Sequence, residues 1–511
     1  MKTAEKEMED KNSDLRMLLA GCTPETTGEW HATGSLDKTV TGLAQDSRAV
    51  RPGFVFFAIQ GTAVDGHDYI EKAVESGATA VVCERMPERK HLEVTYVQAS
   101  DSSLLMGYMA SAFYGHPSRS LQLVGITGTN GKTTTVTLLY RLFRQSGYKA
   151  GLLSTIENRI EDQVVPSTHT TGDALEINAL LRRMVDAGCD YAFMEVSSHA
   201  VVQNRIAGLE FKVGIFSNIT RDHLDYHKTF DAYIKAKKLF FDRLPSTAFA
   251  LVNADDRNGE VMLQNTKARR RTYSLRSPAD FNVKILEESL SGLQLEMDGT
   301  EAYMRLVGRF NAYNLAAIYA TAMLLGMEKN EVLRAMSCLV EAPGRFETLK
   351  SVPGGKLGIV DYAHTPDALQ NVLSTIDGLR NEVRQVICVV GCGGNRDAGK
   401  RPLMARIACQ MSDRLIITTD NPRFEEPQEI INQMMAGLSP VQQSKTLCIA
   451  NREDAIKTAC ALAGAGDVIL VAGKGHEDYQ EIKGVKHHFD DREMLAKYLP
   501  AVWKNELNTN K

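Results

Sequence analysis

A short, mostly apolar run at 121–126 precedes a glycine-bearing loop, and beyond the loop apolar residues return at Val136, Leu139 and Phe143, with Leu138 and Leu142 beside them. The first run has the length of a buried strand and the second has the spacing of one helix face. The loop between them reads Gly128-Thr129-Asn130-Gly131-Lys132-Thr133-Thr134. Two glycines let backbone N–H groups turn inward around phosphate oxygens, a helix N-terminus adds partial positive charge, Lys132 adds a full one, and Thr133 offers a hydroxyl to Mg²⁺. A strict Walker A loop has glycine where this chain has Ile126, and Gly125 lies one position early. A plain tight turn explains the glycines but not the adjacent Lys-Thr, so the stretch predicts a nucleoside triphosphate site.

The same patterning continues in both directions. Strand-like runs at 54–59, 79–83 and 94–97, with a helical stretch at 69–76, predict a small α/β unit over 1–118. A central unit over 119–343 carries polar clusters just after its strands, where open α/β sheets place ligands. From 344 to 511, strand runs at 358–360, 386–390, 414–418 and 468–471 alternate with helices, which predicts a second, Rossmann-like doubly wound sheet. The fold class is therefore α/β in three domains, with a parallel sheet in the middle.

Composition narrows the field. With 511 residues, 43% hydrophobic and 24% charged, and a net charge of −4, the chain reads as globular, with no basic excess to attract nucleic acid. Nine scattered cysteines, with Cys83, Cys388 and Cys448 in apolar runs, predict buried thiols in a reducing cytoplasm. Leu18-Leu19-Ala20-Gly21-Cys22 imitates the end of a lipoprotein signal, but the polar residues before it leave no apolar core, and no stretch is long enough to span a bilayer.

Candidate chemistry sits at the strand ends. Glu195 closes an apolar run and could supply a carboxylate to Mg²⁺; His199 is a second ligand or a structural histidine. Asn218, His223 and their neighbours form an ion or phosphate locus or a solvated loop. Lys235, Lys237 and Lys238 lie on a helix, where pattern alone predicts a solvated face. Asn311 and Asn314 fall on one helix face, to read a purine edge or to cap. Asp46-Ser47-Arg48 and Gln60-Gly61-Thr62 read as turns. Asp361-Tyr362-Ala363-His364, Gly391-Cys392-Gly393-Gly394, Asp420-Asn421-Pro422-Arg423 and Gly473-Lys474-Gly475-His476-Glu477 each follow a strand of the third unit.

Taken in order, Gly128–Thr134, Met194-Glu195-Val196-Ser197-Ser198-His199, Thr220-Arg221-Asp222-His223-Leu224-Asp225-Tyr226-His227, Asp361-Tyr362-Ala363-His364-Thr365-Pro366 and Asp420-Asn421-Pro422-Arg423 resemble the Mur ligases from Asp46 to about Glu493. The resemblance implies ATP-driven amide bond formation through an acyl phosphate, in the branch that adds the third peptide residue to UDP-N-acetylmuramoyl-L-alanyl-D-glutamate in peptidoglycan precursor synthesis. It assigns Gly128, Thr129, Asn130, Gly131, Lys132, Thr133, Thr134, Asn311 and Arg345 to ATP, and Thr133, Glu195 and His199 to Mg²⁺. Asn218 and His223 fall around the transferred phosphate. Ser47 and Thr62 fall on UDP, and Thr170, Thr171, Ser197, Gln203 and Arg205 on the muramoyl-dipeptide. The segment His169-Thr170-Thr171-Gly172 departs from relatives that carry asparagine before and proline after the threonines.

Under the resemblance Lys237, eleven residues after Tyr226, is a carbamylated lysine that holds a second Mg²⁺; carbamylation needs a neutral amine. Arg396, Asp420, Asn421, Pro422, Arg423, Gly473 and Glu477 fall on the incoming amino acid. Arg423 favours meso-2,6-diaminopimelate over L-lysine, because a guanidinium pairs the extra carboxylate. A lysine-adding ligase, a folylpolyglutamate synthetase and a non-catalytic P-loop switch are the alternatives. A monomeric, cytoplasmic enzyme acting on small molecules is expected.

Overall fold

The computed structural model describes residues 13–61, 64–167, 169–220, 224–351, 355–499 and 501–503. Thr62 and His223 lie outside the described residues. Three main sheets follow one another along the chain. The first has strands Trp30–Thr33, Thr95–Ala99, Ala80–Cys83, Phe54–Phe57 and Gly42–Ala44 in that spatial order, parallel except for Trp30–Thr33.

The central sheet is organised around Gln122–Thr127, which lies between Tyr191–Glu195 and Val213–Phe216 in parallel register. Parallel pairing runs on through Ala150–Leu153 on one side and Phe249–Asn253, Arg269–Ser274 and Phe281–Ser289 on the other. Antiparallel hairpins finish both edges, for eleven strands in all. Parallel strands are buried on both faces, and Leu123, Val124 and Ile126 are fully enclosed. The helix Lys132–Gln145 covers one face with Val136, Leu139 and Phe143, as their spacing predicts.

The third sheet places Thr446–Cys448, Arg414–Ile417, Val386–Val390, Val468–Ala472 and Leu357–Asp361 side by side in parallel, with Glu347–Ser351 and Ala501–Trp503 antiparallel at the far edge. All nine cysteines are free. Cys83 and Cys388 are buried as expected, but Cys448 is exposed. The correction has a simple cause: Cys448 sits on the edge strand, where no neighbour covers it.

Two buried features hold the third unit's strand ends in place. Arg452 and Asp491, both fully enclosed, form a two-pronged pair, Nε to Oδ1 and Nη2 to Oδ2 at 2.7 Å each. The same guanidinium donates to the carbonyls of Thr419 and Ala472, the residues just before Asp420 and Gly473. Elsewhere Gly344, at φ 66°, passes so near the next loop that a Cβ there would fall 2.1 Å from the amide nitrogen of His476. Burial, with Arg345 nearby, pushes the His476 imidazole down to about 3.

Removing one member of the Arg452–Asp491 pair strands the other charge, so Arg452→Met or Asp491→Asn alone is expected to cost about 3–5 kcal/mol in urea unfolding. The His476 effect has the opposite handle. The unfolded chain takes up a proton below about pH 6.5 while the folded imidazole stays neutral, so this contribution is present above that pH and lost as pH falls towards 3. His476→Asn is expected to flatten the fall in urea midpoint between about pH 7.5 and about pH 5.

Candidate active site

The phosphate loop leaves the strand at Thr127 and enters the helix at Lys132. Gly128 and Gly131 take φ of 152° and 86°. Neither tolerates a side chain: a Cβ would fall 1.9 Å from Ser217 Oγ at the first and 2.4 Å from Asn314 Oδ1 at the second. The loop is fixed from the neighbouring strand end. Asn218 Oδ1 accepts from the Asn130 N–H at 3.0 Å, its Nδ2 donates to the Asn130 carbonyl at 3.2 Å, and its own carbonyl accepts from the Thr129 N–H at 2.8 Å. Two ammonium groups converge on one atom: Lys132 Nζ and Lys237 Nζ donate to the Gly128 carbonyl at 2.9 and 2.8 Å.

Lys237 overturns the reading of its helix, Phe230–Asp242, as a lysine-bearing solvated face. Lys235 is exposed, but Lys237 is buried beneath the loop, 4.6 Å above the Tyr233 ring. Its helix turns Tyr233, Ala236, Lys237 and Phe240 inward together, a buried stripe that contains one charge.

Glu195, almost wholly enclosed, joins the loop to the next cluster. Its Oε2 accepts from Thr133 Oγ1 at 3.0 Å, and its Oε1 accepts from the Thr155 N–H and hydroxyl at 2.7 and 3.0 Å. The Thr155 and Thr170 hydroxyl oxygens lie 3.1 Å apart, within hydrogen-bond distance. Thr171 Oγ1 donates to the Glu195 carbonyl and accepts from the Ser197 N–H. Arg205 donates to the Thr171 carbonyl and to Gln203 Oε1. Thr170, Thr171, Ser197, Gln203 and Arg205 thus form one patch beside Glu195. The departure at Gly172 has a local counterpart: a Cβ there would fall 2.7 Å from Glu176 Oε2. His199 packs against the rings of Tyr226 and His227 at 4.2 and 5.5 Å. Ser47 lies just past the first sheet's edge strand Gly42–Ala44, on the helical turn Ser47–Ala49, and nearby Gln45 bonds Asp173 across the junction.

Asn311 and Asn314 are both buried and bonded to each other at 3.0 Å, with Asn311 Nδ2 also on the Val307 carbonyl at 2.8 Å. Asn314 backs Gly131, so the pair lies directly against the phosphate loop. Thr134 is buried on the helix's first turn.

The third unit reaches into this cleft. Arg345 Nη2 donates to Thr133 Oγ1 at 3.1 Å while its guanidinium lies 4.6 Å over the Tyr362 ring. Asp367 Oδ2 accepts from Asn130 Nδ2 at 3.1 Å and Thr220 Oγ1 at 2.7 Å. Burial raises the Asp361 carboxyl to about 6 against the pull of Arg345, and its Oδ2 accepts from the Phe346 N–H.

Tyr362 leads on to the amino-acid cluster, its hydroxyl 3.5 Å from Glu477 Oε1. Asn421 Nδ2 donates to Glu477 Oε2 at 2.8 Å, and its Oδ1 accepts from Lys474 Nζ at 3.0 Å. Burial and the nearby Asp420 push the Glu477 carboxyl up, and Lys474 pulls it back. Gly473 is required because a Cβ would fall 2.5 Å from Asp420 Oδ2. Pro422 is buried and its carbonyl lies against Gly394, which admits no Cβ; Arg423 stands at the cluster's edge and Arg396 is exposed nearby.

Lys474 and Asp367 complete the cleft, and Arg401 and Glu425 brace the Gly393–Asn395 loop from behind, although spacing did not single them out. Arg401 binds both Glu425 oxygens and the Gly393 carbonyl from a buried position. The one legible signal was Lys474, a lysine flanked by glycines directly after a wholly apolar strand.

Similarity to known proteins agrees with this arrangement. Residues 39–114 match the Mur ligase family, catalytic domain; 126–322 the Mur ligase middle domain; and 344–475 the Mur ligase, glutamate ligase domain. The UDP-N-acetylmuramoyl-L-alanyl-D-glutamate--2,6-diaminopimelate ligase of Phocaeicola vulgatus is 58% identical over 90% of this chain and 95% of its own. The protein of the same name from Chlorobaculum tepidum is 42% identical over 89% and 92%. A solved structure of a ligase of that name superposes with a TM-score of 0.65 at 31% identity, covering 93% of this chain and 98% of that one. The MurF ligase from Thermotoga maritima in complex with ADP shares the fold at a TM-score of 0.59 and 19% identity, over 89% and 96%. With a phosphate loop, a glutamate beneath it and a third sheet reaching across to both, in the order and over the length of these relatives, the chain belongs to the Mur ligase family.

Proposed function

We propose that the chain joins meso-2,6-diaminopimelate to UDP-N-acetylmuramoyl-L-alanyl-D-glutamate, using ATP and an acyl-phosphate intermediate. One observation carries the reading: an unbroken line of contacts, Thr133 to Arg345 to Tyr362 to Glu477, runs from the phosphate loop to the amino-acid cluster. A carboxylate activated at one end therefore meets an amine presented at the other. The names of the relatives supply the substrates.

In this reading Lys132 and the loop N–H groups hold the phosphates, and Asn218 keeps the loop in shape. Thr170, Thr171, Ser197, Gln203 and Arg205 hold the dipeptide, with Ser47 and Thr62 on its UDP and His223 near the phosphate. The substrate carboxylate attacks the γ-phosphorus, ADP leaves, and an acyl phosphate forms. The amine of diaminopimelate then attacks the acyl carbon, and inorganic phosphate departs with the bonding pair. Asp420 and Glu477 present carboxylates to an ammonium, while Arg423 and Arg396 face a carboxylate.

Mg²⁺ fits the donor set. Among the described residues no three acidic, imidazole or thiol groups form a cage, and Mg²⁺ takes one or two carboxylates with substrate phosphates and water. Thr133 and Glu195 supply a hydroxyl and a carboxylate already in contact, and His199, four residues after Glu195, would add an imidazole. When bound, the ion neutralises charge on the transferred phosphoryl oxygens. Carbamylation of Lys237 fits the crowding at Gly128. The Lys237 ammonium first gives up a proton; adding CO₂ to the neutral amine releases a second, and an anion replaces one of two converging cations.

The first test is phosphate release with ATP and the UDP substrate: release is expected with meso-diaminopimelate and not with L-lysine. Arg423→Ala is expected to raise KM for diaminopimelate about 10- to 100-fold, the worth of a charged hydrogen-bond pair. Lys237→Ala is expected to lower kcat about 100-fold or more, with partial recovery when a short carboxylic acid is added. Unchanged turnover in Lys237→Ala would remove the carbamate from the account.

A further inference from the structure

Beyond the three large sheets, Tyr479–Ile482 and Val485–His488 form a two-stranded hairpin of their own. Its first strand runs beside Arg423. The Arg423 N–H donates to the Glu481 carbonyl at 3.0 Å, and the Lys483 N–H donates back to the Arg423 carbonyl at 2.7 Å. Between these bonds Arg423 takes φ 53°, a left-handed backbone that an arginine rarely adopts. The hairpin also holds the residue two positions earlier, since the Glu481 N–H donates to Asn421 Oδ1 at 2.9 Å.

The side chains repeat the arrangement. Arg423 Nε donates to Glu481 Oε2 at 3.2 Å, and Nη1 donates to the Gly394 carbonyl at 2.9 Å. Nη2 makes no hydrogen bond to the described residues. Two of the three guanidinium nitrogens are thus anchored from opposite sides, and the third is left with two N–H groups. Arg423 and Glu481 are both about four-fifths covered, with side-chain exposures of 20% and 22%.

We propose that Glu481 is a positioning residue for the amino-acid substrate: by holding Nε it orients Arg423 so that Nη2 meets the carboxylate at the far end of the incoming amino acid. The proposal rests on the reading that the site takes diaminopimelate. A free arginine side chain must be ordered when the ligand arrives, and an anchored one already is. Glu481 also lies next to a cation that a substrate carboxylate would share, so a competing role, in which Glu481 blocks Arg423, predicts the opposite sign.

The experiment is steady-state phosphate release by the full chain, with diaminopimelate varied at saturating ATP and UDP substrate. Glu481→Ala is expected to raise KM for diaminopimelate about three- to tenfold, the worth of ordering one long side chain. Glu481→Asp, which withdraws the carboxylate by one methylene, is expected to shift KM in the same direction and covers the case in which the alanine variant does not fold. In both, kcat at saturation and KM for ATP are expected to stay at the wild-type values. Glu481→Gln keeps an oxygen for Nε to donate to and is expected to stay within about twofold. An unchanged or lowered KM in the alanine and aspartate variants overturns the proposal. So does an equal loss in kcat and KM for ATP, or a glutamine variant as impaired as alanine. Failure of the functional reading looks different: the wild-type enzyme itself would release no phosphate with diaminopimelate.

Discussion

One guanidinium connects the two halves of the cleft. Arg345 leaves the entry to the third sheet, stacks on Tyr362 and bonds the hydroxyl that also touches Glu195. Its position depends on the backbone around it. Gly344 and Phe346 both sit at positive φ, and for a bulky, fully buried phenylalanine this is an uncommon conformation. The Asp361 carboxylate receives the Phe346 N–H and sits near the arginine it helps to place. A kinked, buried segment of this kind persists only where its surroundings over-determine it.

The sheets account for where the chemistry lies. In the central and third sheets the parallel strands end at the same side, and the loops that build the site leave from those ends, with Gly128, Ser197 and Asn218 in the centre and Tyr362, Gly391 and Gly473 in the third unit. Parallel order leaves the carbonyl ends of several strands together, and a ligand there can be held by many short loops on rigid supports. The Arg452–Asp491 pair performs this supporting role for the two loops that carry Asp420 and Gly473.

Much of this was legible in the chain itself. The strand at 121–126, the helix after it and the loop between them were fixed by apolar spacing and by a Gly-Lys-Thr combination that no plain turn needs. The buried strands of the third unit were equally plain, because parallel strands read as continuous apolar runs. What pattern could not show was which polar residues meet. By periodicity Lys237 is one of three lysines on a helix; the family resemblance singled it out, and the packing of that helix beneath the loop gives the physical difference from Lys235. Asp367 lies 237 residues from Asn130, so their bond was invisible to any local reading. Cys448 shows the reverse error: a residue in an apolar run was expected inside, and the sheet edge leaves it outside.

The contact between Asn130 and Asp367 also bears on what holds the cleft together. Separating the third unit from the phosphate loop breaks the Asn130 and Thr220 bonds to Asp367 together with the Arg345 bond to Thr133. At a net of about 0.5–1.5 kcal/mol each, these three bonds favour the closed arrangement by about 1.5–4.5 kcal/mol. Because one carboxylate receives two of them, withdrawing Asp367 breaks those two together. Any separation of the two would have to overcome bonds made by groups that also shape the phosphate loop.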